Sequence, residues 1–138
     1  MVRDAMKAPS GLPCLPPPWG ELIAVDLAAG KIAWRRPLGS MSELFPGIAP
    51  DTGSLLLGGP IVTASGLVFI GGTFDKRFRA FSSQTGKELW SAELPAGAHA
   101  QPMTYEVKGR QFVVIAAGGH AKITESGVGD ALIAYALP

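Results

Sequence analysis

The hydrophobic residues of this chain fall into short runs that glycine, proline or polar residues separate. No stretch of helical length has an apolar period of 3.6 residues, because glycine interrupts every candidate window. The segment 39–59 has no clear period and is predicted to be a long loop with a functional role. The runs themselves predict strands at residues 22–25, 32–35, 60–63, 67–71, 78–82, 88–92, 102–107, 111–117 and 131–137. The pattern therefore predicts an all-β chain.

An internal repeat shows how these strands are organised. The segment Ala24–Trp34 recurs at Ala80–Trp90 with the alanine, the Gly-Lys pair and the tryptophan conserved between the copies. A partial third copy covers residues 132–137. Gly30 and Gly86 suit tight turns, because glycine adopts positive φ without a Cβ clash. Short strands with a glycine turn and an aromatic residue in each unit predict the blades of a β-propeller.

The length of the chain limits how many blades it can build. At about 45 residues per blade, 138 residues supply about three blades, whereas closed propellers have four to eight. We therefore predict a partial propeller over residues 20–138, with Trp34 and Trp90 lying between adjacent blades. Residues 1–19 hold five of the twelve prolines and are predicted to form an extended strap. With both end faces open, the isolated chain is expected to self-associate.

Composition and charge exclude several classes of protein. Hydrophobic residues make up 47% of the chain and charged residues 17%, which excludes intrinsic disorder. The net charge of +1 gives no electrostatic footprint for nucleic acid or an anionic membrane surface. The single cysteine, Cys14, excludes a disulfide within the chain. The sequence also contains no signal peptide and no apolar stretch of membrane-spanning length.

The repeated motif Ala-x-Asp-x-x-x-Gly-Lys-x-x-Trp resembles the tryptophan-docking motif of dehydrogenases that use pyrroloquinoline quinone (PQQ). Further segments, in order from about residue 11 to the end, resemble the membrane-bound glucose dehydrogenase branch of that family. They are Gly11-Leu12-Pro13-Cys14, Pro17-Pro18-Trp19-Gly20, Leu57-Gly58-Gly59-Pro60, Arg79-Ala80-Phe81, Leu94-Pro95-Ala96-Gly97, Pro102-Met103-Thr104-Tyr105-Glu106 and Ala116-Ala117-Gly118-Gly119-His120.

This resemblance implies an eight-bladed propeller that holds PQQ near its axis with a calcium or magnesium ion. The implied reaction oxidises a sugar or polyol, glucose first, and passes electrons to ubiquinone on the periplasmic side of the inner membrane. In the family, the metal ligands and the catalytic aspartate belong to earlier blades. The resemblance therefore places no catalytic residue and no metal ligand in this chain, which would act only together with the missing propeller blades.

His120 and Asp75 are the two candidate substrate-binding residues, and the resemblance places both near the pocket. His120 follows a glycine pair at the end of an apolar strand and could donate a hydrogen bond to a sugar hydroxyl or move a proton. Asp75 lies between two strands, where its carboxylate could accept hydrogen bonds from sugar hydroxyls. The alternatives are an ordinary loop histidine and a turn aspartate that bonds its own backbone. Arg79 could pair with Asp75 or with backbone carbonyls, and His99 is interpreted as a surface or blade-top residue.

Two glycine pairs are the candidate cofactor-binding positions. Gly58-Gly59 and Gly118-Gly119 do not form a nucleotide-binding Gly-x-Gly-x-x-Gly loop. They are expected to permit close backbone approach at the centre of a propeller or beside a planar cofactor. The chain departs from the family at Leu55-Leu56, where members commonly have Pro-Asn, so an apolar side chain replaces a polar one there.

Two alternative functions remain open from the sequence. A quinate- or shikimate-type quinoprotein dehydrogenase shares these motifs and differs mainly in its substrate. A non-catalytic propeller scaffold shares the repeat, but it has no evident need for the Ala-Gly-Gly-His segment that ends at His120.

Overall fold

The computed structural model describes residues 6–121 and 125–136 of the chain. Within these ranges the chain forms strands and no helix. The strands are β1 (Glu21–Asp26), β2 (Lys31–Pro37), β3 (Ile61–Val62), β4 (Leu67–Ile70), β5 (Arg77–Ser82), β6 (Glu88–Glu93), β7 (Met103–Val107), β8 (Arg110–Ala117) and β9 (Ala131–Ala136). Every strand predicted from the sequence is present, and the ends agree to within two residues.

The strands form three antiparallel sheets in chain order. The first sheet is β1-β2, the middle sheet is β3-β4-β5-β6, and the last sheet is β7-β8-β9. This arrangement confirms the prediction of an all-β partial propeller, in which the middle sheet is a complete four-stranded blade. The predicted boundary at residue 20 stays a prediction. Residues 6–19 contain no strand, and their β-pairing is limited to an isolated bridge between Lys7 and Pro13.

The hydrophobic core lies between the sheets, because side chains along a strand alternate between its two faces. On β4, Phe69 faces the last sheet whereas Val68 and Ile70 face the first sheet. The cluster between the first two sheets contains Leu22, Leu38, Val68, Ile70 and Phe81. The cluster between the middle and last sheets contains Phe69, Phe78, Ala80, Leu94, Ala98, Val113, Ile115 and Ala117. The middle sheet is thus buried on both faces.

The repeated motif has the same local structure in both copies. Ala24 pairs with Trp34 across β1 and β2, and Ala80 pairs with Trp90 across β5 and β6. A register shift follows each alanine, between Ala24 and Val25 and between Ala80 and Phe81. A small residue opposite each tryptophan leaves room for the indole beside the sheet. The conserved alanine is therefore part of the tryptophan's packing site.

Trp34 docks the first sheet onto the turn of the middle sheet. Its indole Nε1 donates a hydrogen bond of 2.8 Å to the carbonyl oxygen of Ser83. Gly86 lies under the ring with a φ of +66°, and a Cβ at that position would lie 2.6 Å from Trp34 Cε3. The turn glycine therefore serves two purposes, because it allows positive φ and it admits the indole. This contact confirms that Trp34 lies between adjacent blades.

At each end of the described structure, one partner of this tryptophan–glycine contact is present without the other. Gly30 holds the turn position equivalent to Gly86, and an added Cβ there would meet nothing within 4 Å. Trp90 packs edge-on against Tyr135 of the last sheet, with ring centroids 5.0 Å apart, yet it remains 37% exposed. Apolar side chains are also exposed on the two outer faces, among them Val25 at 54% and Leu132 at 74%. Both ends thus present surfaces that fit further blades.

A matched pair of glycine substitutions tests the docking. Gly30→Ala and Gly86→Ala both place a Cβ at positive φ, which costs about 1–2 kcal/mol. Only Gly86→Ala also drives that Cβ into the Trp34 ring, and overpacking of this kind costs about 1–3 kcal/mol more. Urea unfolding at one protein concentration should therefore show a larger loss of unfolding free energy for Gly86→Ala. Equal losses in the two variants would contradict the docking.

Candidate functional site

The connections between strands differ at the two ends of the sheets. Tight turns join β1 to β2, β3 to β4, β5 to β6 and β7 to β8, whereas the other connections are longer. Because consecutive antiparallel strands alternate in direction, the longer loops lie at the opposite end from the turns. These loops are residues 38–60, 71–76, 94–102 and 118–130. They contain both predicted substrate-binding residues and all four predicted cofactor-binding glycines, and we call this the loop end.

Asp75 is buried at the loop end in an ion pair with Arg79. Its Oδ2 lies 2.5 Å from Arg79 Nη2, and the two side chains are 4% and 10% exposed. Oδ1 accepts hydrogen bonds from Arg79 Nη1 at 3.1 Å and from Thr73 Oγ1 at 2.5 Å. Oδ2 also accepts from the backbone N–H of Ser40 at 3.0 Å. Since a carboxylate offers about four acceptor sites, these donors occupy all of them.

These contacts differ from a turn aspartate that bonds its own backbone, because the donors come from other residues. The pairing of Arg79 with Asp75 confirms one of the expected partners. The Ser40 contact ties the long loop 38–60 to the loop that precedes β5, and Ser54 Oγ adds a second tie by accepting from Phe74 N–H at 3.2 Å. The carboxylate thus fixes the relative positions of two loops.

A polar cleft of about 310 Å³ opens beside this ion pair. Its lining includes Ser40, Ser42, Glu43, Asp51, Arg77 and Glu88 together with Asp75 and Arg79. Leu56, one of the two residues that depart from the family pattern, packs against the core between the first two sheets, and Leu55 is 38% exposed. The apolar substitution at Leu56 therefore serves the core.

His120 is exposed at the start of loop 118–130, and a second histidine lies beside it. The rings of His120 and His99 meet edge-on with centroids 6.3 Å apart. The His99 ring also meets the ring of Phe74 edge-on, with centroids 6.3 Å apart. Phe74 directly precedes Asp75 in the chain. The two predicted substrate-binding residues therefore lie on different loops that are joined through Phe74 and His99.

Of the two interpretations of His99, a surface residue or a residue at the top of the blades, the structure supports the second, because His99 lies at the loop end. His99 is half-buried, and its Nε2 lies 2.8 Å from the hydroxyl of Ser126, which is fully buried. Burial lowers the pKa of His99 below its ordinary value of 6.5, outweighing an opposing interaction with the Gly72 backbone, and the neighbouring His120 lowers it further. The imidazole of His99 is thus neutral near pH 7. The sequence signal for this site is Gly97, a glycine between two alanines just before the histidine.

The predicted cofactor-binding glycines fall into two kinds. Gly58 and Gly119 have positive φ. A Cβ at Gly58 would lie 2.6 Å from the His99 carbonyl oxygen, and a Cβ at Gly119 would lie 2.1 Å from the Gly127 carbonyl oxygen. Their small size is therefore explained by backbone packing within the protein. An added Cβ at Gly59 or Gly118 would meet nothing closer than 3.9 or 3.6 Å. Those distances are ordinary van der Waals contacts, so the packing inside the described structure does not itself require glycine at Gly59 or Gly118.

The described part of the chain contains no group of three or more histidine, cysteine, aspartate or glutamate side chains that could hold a metal ion. Within the same residues, no helix is long and apolar enough to cross a membrane.

The fold and this set of loops match a known family of enzymes. Residues 1–113 match the family model described as the β-propeller domain of glucose, ethanol and alcohol dehydrogenases that use PQQ. This chain belongs to the PQQ-dependent dehydrogenase family. Quinoprotein glucose dehydrogenase A of Acinetobacter calcoaceticus is 45% identical to it over 139 residues, which cover 98% of this chain and 17% of that protein.

Two other comparisons place the chain within this family. Quinate/shikimate dehydrogenase (quinone) of Acinetobacter baylyi is 42% identical over 142 residues, which cover 98% of this chain and 17% of that protein. The crystal structure of quinohemoprotein alcohol dehydrogenase from Comamonas testosteroni superposes with a TM-score of 0.55 and 36% identity, over 71% of this chain and 12% of that one. The chain thus spans less than a fifth of the length of these relatives.

The buried ion pair predicts an unequal response to two carboxylate substitutions. Asp75→Ala leaves the Arg79 guanidinium buried without its main partner, and breaking such a pair costs about 3–5 kcal/mol. Glu88→Ala removes a partly exposed carboxylate 3.4 Å from Arg79 Nε, and contacts of that kind contribute about 1 kcal/mol or less. Urea unfolding of both variants measures the difference. A loss for Asp75→Ala as small as that for Glu88→Ala would contradict the structural role of Asp75.

The neutral state of His99 predicts a pH dependence of stability. Its pKa is lower in the folded chain than in the unfolded chain, so the unfolded chain binds the proton more readily. The contribution of His99 to the free energy of unfolding is therefore present above its ordinary pKa of 6.5 and is lost as the pH falls below that value. The urea concentration at the midpoint of unfolding should therefore decrease as the pH is lowered from about 7.5 to about 5.5, the range in which histidine titrates. His99→Gln should flatten this slope, and an unchanged slope would contradict the prediction.

Proposed function

We propose that this chain is the C-terminal segment of a quinoprotein dehydrogenase that oxidises a sugar or polyol, with glucose as its substrate, and passes electrons to a quinone such as ubiquinone. The observation that supports this most is the position of His120. It stands exposed at the loop end, beside the loop of Asp75, in a chain that is 45% identical to a relative named as a glucose dehydrogenase.

His120 is the group that meets the substrate in this proposal. An imidazole donates or accepts a hydrogen bond near neutral pH, so it suits a sugar hydroxyl whose proton leaves during oxidation. Because His99 is neutral, it places no positive charge beside His120. His120 therefore orients a hydroxyl through a hydrogen bond and adjusts the transfer of its proton to the catalytic base.

Asp75 serves the substrate side of the pocket in a different way. Its four acceptor sites are filled by Thr73, Ser40 and Arg79, so it supports the pocket wall by holding loops 38–60 and 71–76 together. This arrangement makes Asp75 a positioning residue. A sugar hydroxyl would reach its oxygens only by displacing one of these donors.

The residues present fit one side of a PQQ site. When bound, PQQ supplies the two-electron acceptor for the oxidation. Gly59 and Gly118, where the packing inside the protein does not itself require glycine, are the positions in this chain that would lie against its ring system, with Gly58 and Gly119 packing the backbone beside them. In this proposal the calcium or magnesium ligands and the catalytic base come from the missing propeller blades. The complete enzyme would act on the periplasmic side of the inner membrane.

A second substrate class is favoured by one comparison. The quinate/shikimate dehydrogenase of Acinetobacter baylyi is 42% identical to this chain, close to the value for the glucose dehydrogenase. Quinate and shikimate are carboxylated polyols, so they share with glucose the hydroxyl groups that His120 would contact. The alternative proposal is therefore the same oxidation on a cyclic acid.

A chimera tests the proposal directly. This chain replaces the aligned segment of the glucose dehydrogenase of Acinetobacter calcoaceticus, and dye reduction is measured with PQQ, calcium or magnesium, and glucose or quinate. The chimera should oxidise glucose, whereas the isolated chain should show no turnover. His120→Ala should lower kcat/KM by about 100-fold, the smaller end of the range for a proton-transfer group.

Val128→Ala is the matched control, since this side chain is 70% exposed on the same loop as His120. It should leave kcat/KM of the chimera unchanged. A preference for quinate would replace the glucose proposal by its alternative. A His120→Ala chimera as active as its parent would contradict the role of His120, and turnover by the isolated chain would contradict the division of labour between the blades.

A further inference from the structure

A cluster of three side chains lies behind His120. It consists of His99, Ser126 and Phe74, which come from three different loops of the loop end. His99 contacts both of the others and also the ring of His120. A single imidazole thus touches the loop of Asp75 on one side and the loop of His120 on the other.

The backbone around His99 is shaped to admit this imidazole. A Cβ at Gly97 would lie 2.7 Å from His99 Nε2 and 2.3 Å from Ser126 Oγ, so any larger residue would separate the two groups. A Cβ at Gly58 would lie 2.6 Å from the His99 carbonyl oxygen. Two glycines on two different loops are therefore needed for His99 to occupy its position.

The backbone of the same segment is bonded to both limbs of loop 118–130. The N–H of Gly97 donates to the Ser126 carbonyl oxygen at 2.8 Å, and the Gly97 carbonyl oxygen accepts from the N–H of Gly119 at 2.7 Å. The hydrogen bond between His99 and Ser126 closes this network through side chains. The network ends at the Gly119 amide, and the next residue in the chain is His120, which carries the predicted substrate contact.

We propose that His99 is a positioning residue for the substrate side of the pocket. Through its hydrogen bond to Ser126 and its ring contacts with Phe74 and His120, it fixes His120 relative to the loop of Asp75. This inference rests on the proposed function of His120. The neutral state of His99 supports it, because a neutral imidazole keeps the Ser126 bond without placing a charge beside His120.

Amide hydrogen exchange in the complete 138-residue chain tests the positioning without any substrate. His99→Ala and Ser126→Ala should each raise the exchange rate of the Gly119 amide by about 10-fold or more, because both remove the tie that holds loop 118–130. His99→Gln keeps a donor for Ser126 and should restore most of the protection. Val128→Ala is the matched control and should change nothing at Gly119.

The glucose dehydrogenase chimera gives the second readout. His99→Ala should lower kcat/KM by about 10-fold, His99→Gln should recover most of this loss, and the double variant with Ser126→Ala should be no worse than either single one. Unchanged exchange at Gly119 in His99→Ala would overturn the positioning role. Raised exchange at Gly119, together with a fully active His120→Ala chimera, would instead overturn the function proposed for His120 and leave the structural tie intact. Raised exchange with an active His99→Ala chimera and an impaired His120→Ala chimera would overturn the link between the tie and substrate binding.

Discussion

The structure depends on one contact between neighbouring sheets, the docking of a tryptophan onto a glycine turn. Trp34 of the first sheet covers Gly86 of the middle sheet and bonds the Ser83 carbonyl oxygen. A two-stranded sheet has too little apolar area to be stable alone, so a fixed contact with its neighbour is what orders it. The apolar side chains of β4 and β5 fill the interfaces on both sides of the middle sheet.

This docking also decides where chemistry is possible. It occupies the ends of the sheets that carry the tight turns, and the longer loops are left together at the opposite end. Those loops are held by backbone contacts that only glycine permits, such as Gly58 against His99 and Gly119 against Gly127. A rigid scaffold that presents its functional groups on loops is a common way to build a binding site. Asp75, His99 and His120 all lie in this region.

The accuracy of the sequence predictions follows the range of the interactions involved. The strands, the turn glycines and the role of Trp34 follow from a local pattern that occurs twice, so each copy supports the other. Arg79 lies four residues from Asp75, and their pairing was accordingly expected. Ser40 is 35 residues from Asp75 in the chain, and Ser126 is 27 residues from His99. No local pattern reports such contacts, which explains why Asp75 has donors that were not expected and why the sequence left open whether His99 lies on the surface or at the top of the blades.

The contacts of Asp75 and His120 support different roles for them within the proposed function. A carboxylate whose four acceptor sites are filled and whose charge is matched by a buried guanidinium gains little from a neutral hydroxyl, because one existing bond must break first. His120 is exposed to solvent, so a substrate hydroxyl can approach it, and the neutral imidazole of His99 places no positive charge beside it. Within the proposed function, His120 therefore contacts the substrate hydroxyl, while Asp75 and His99 hold the loops around it.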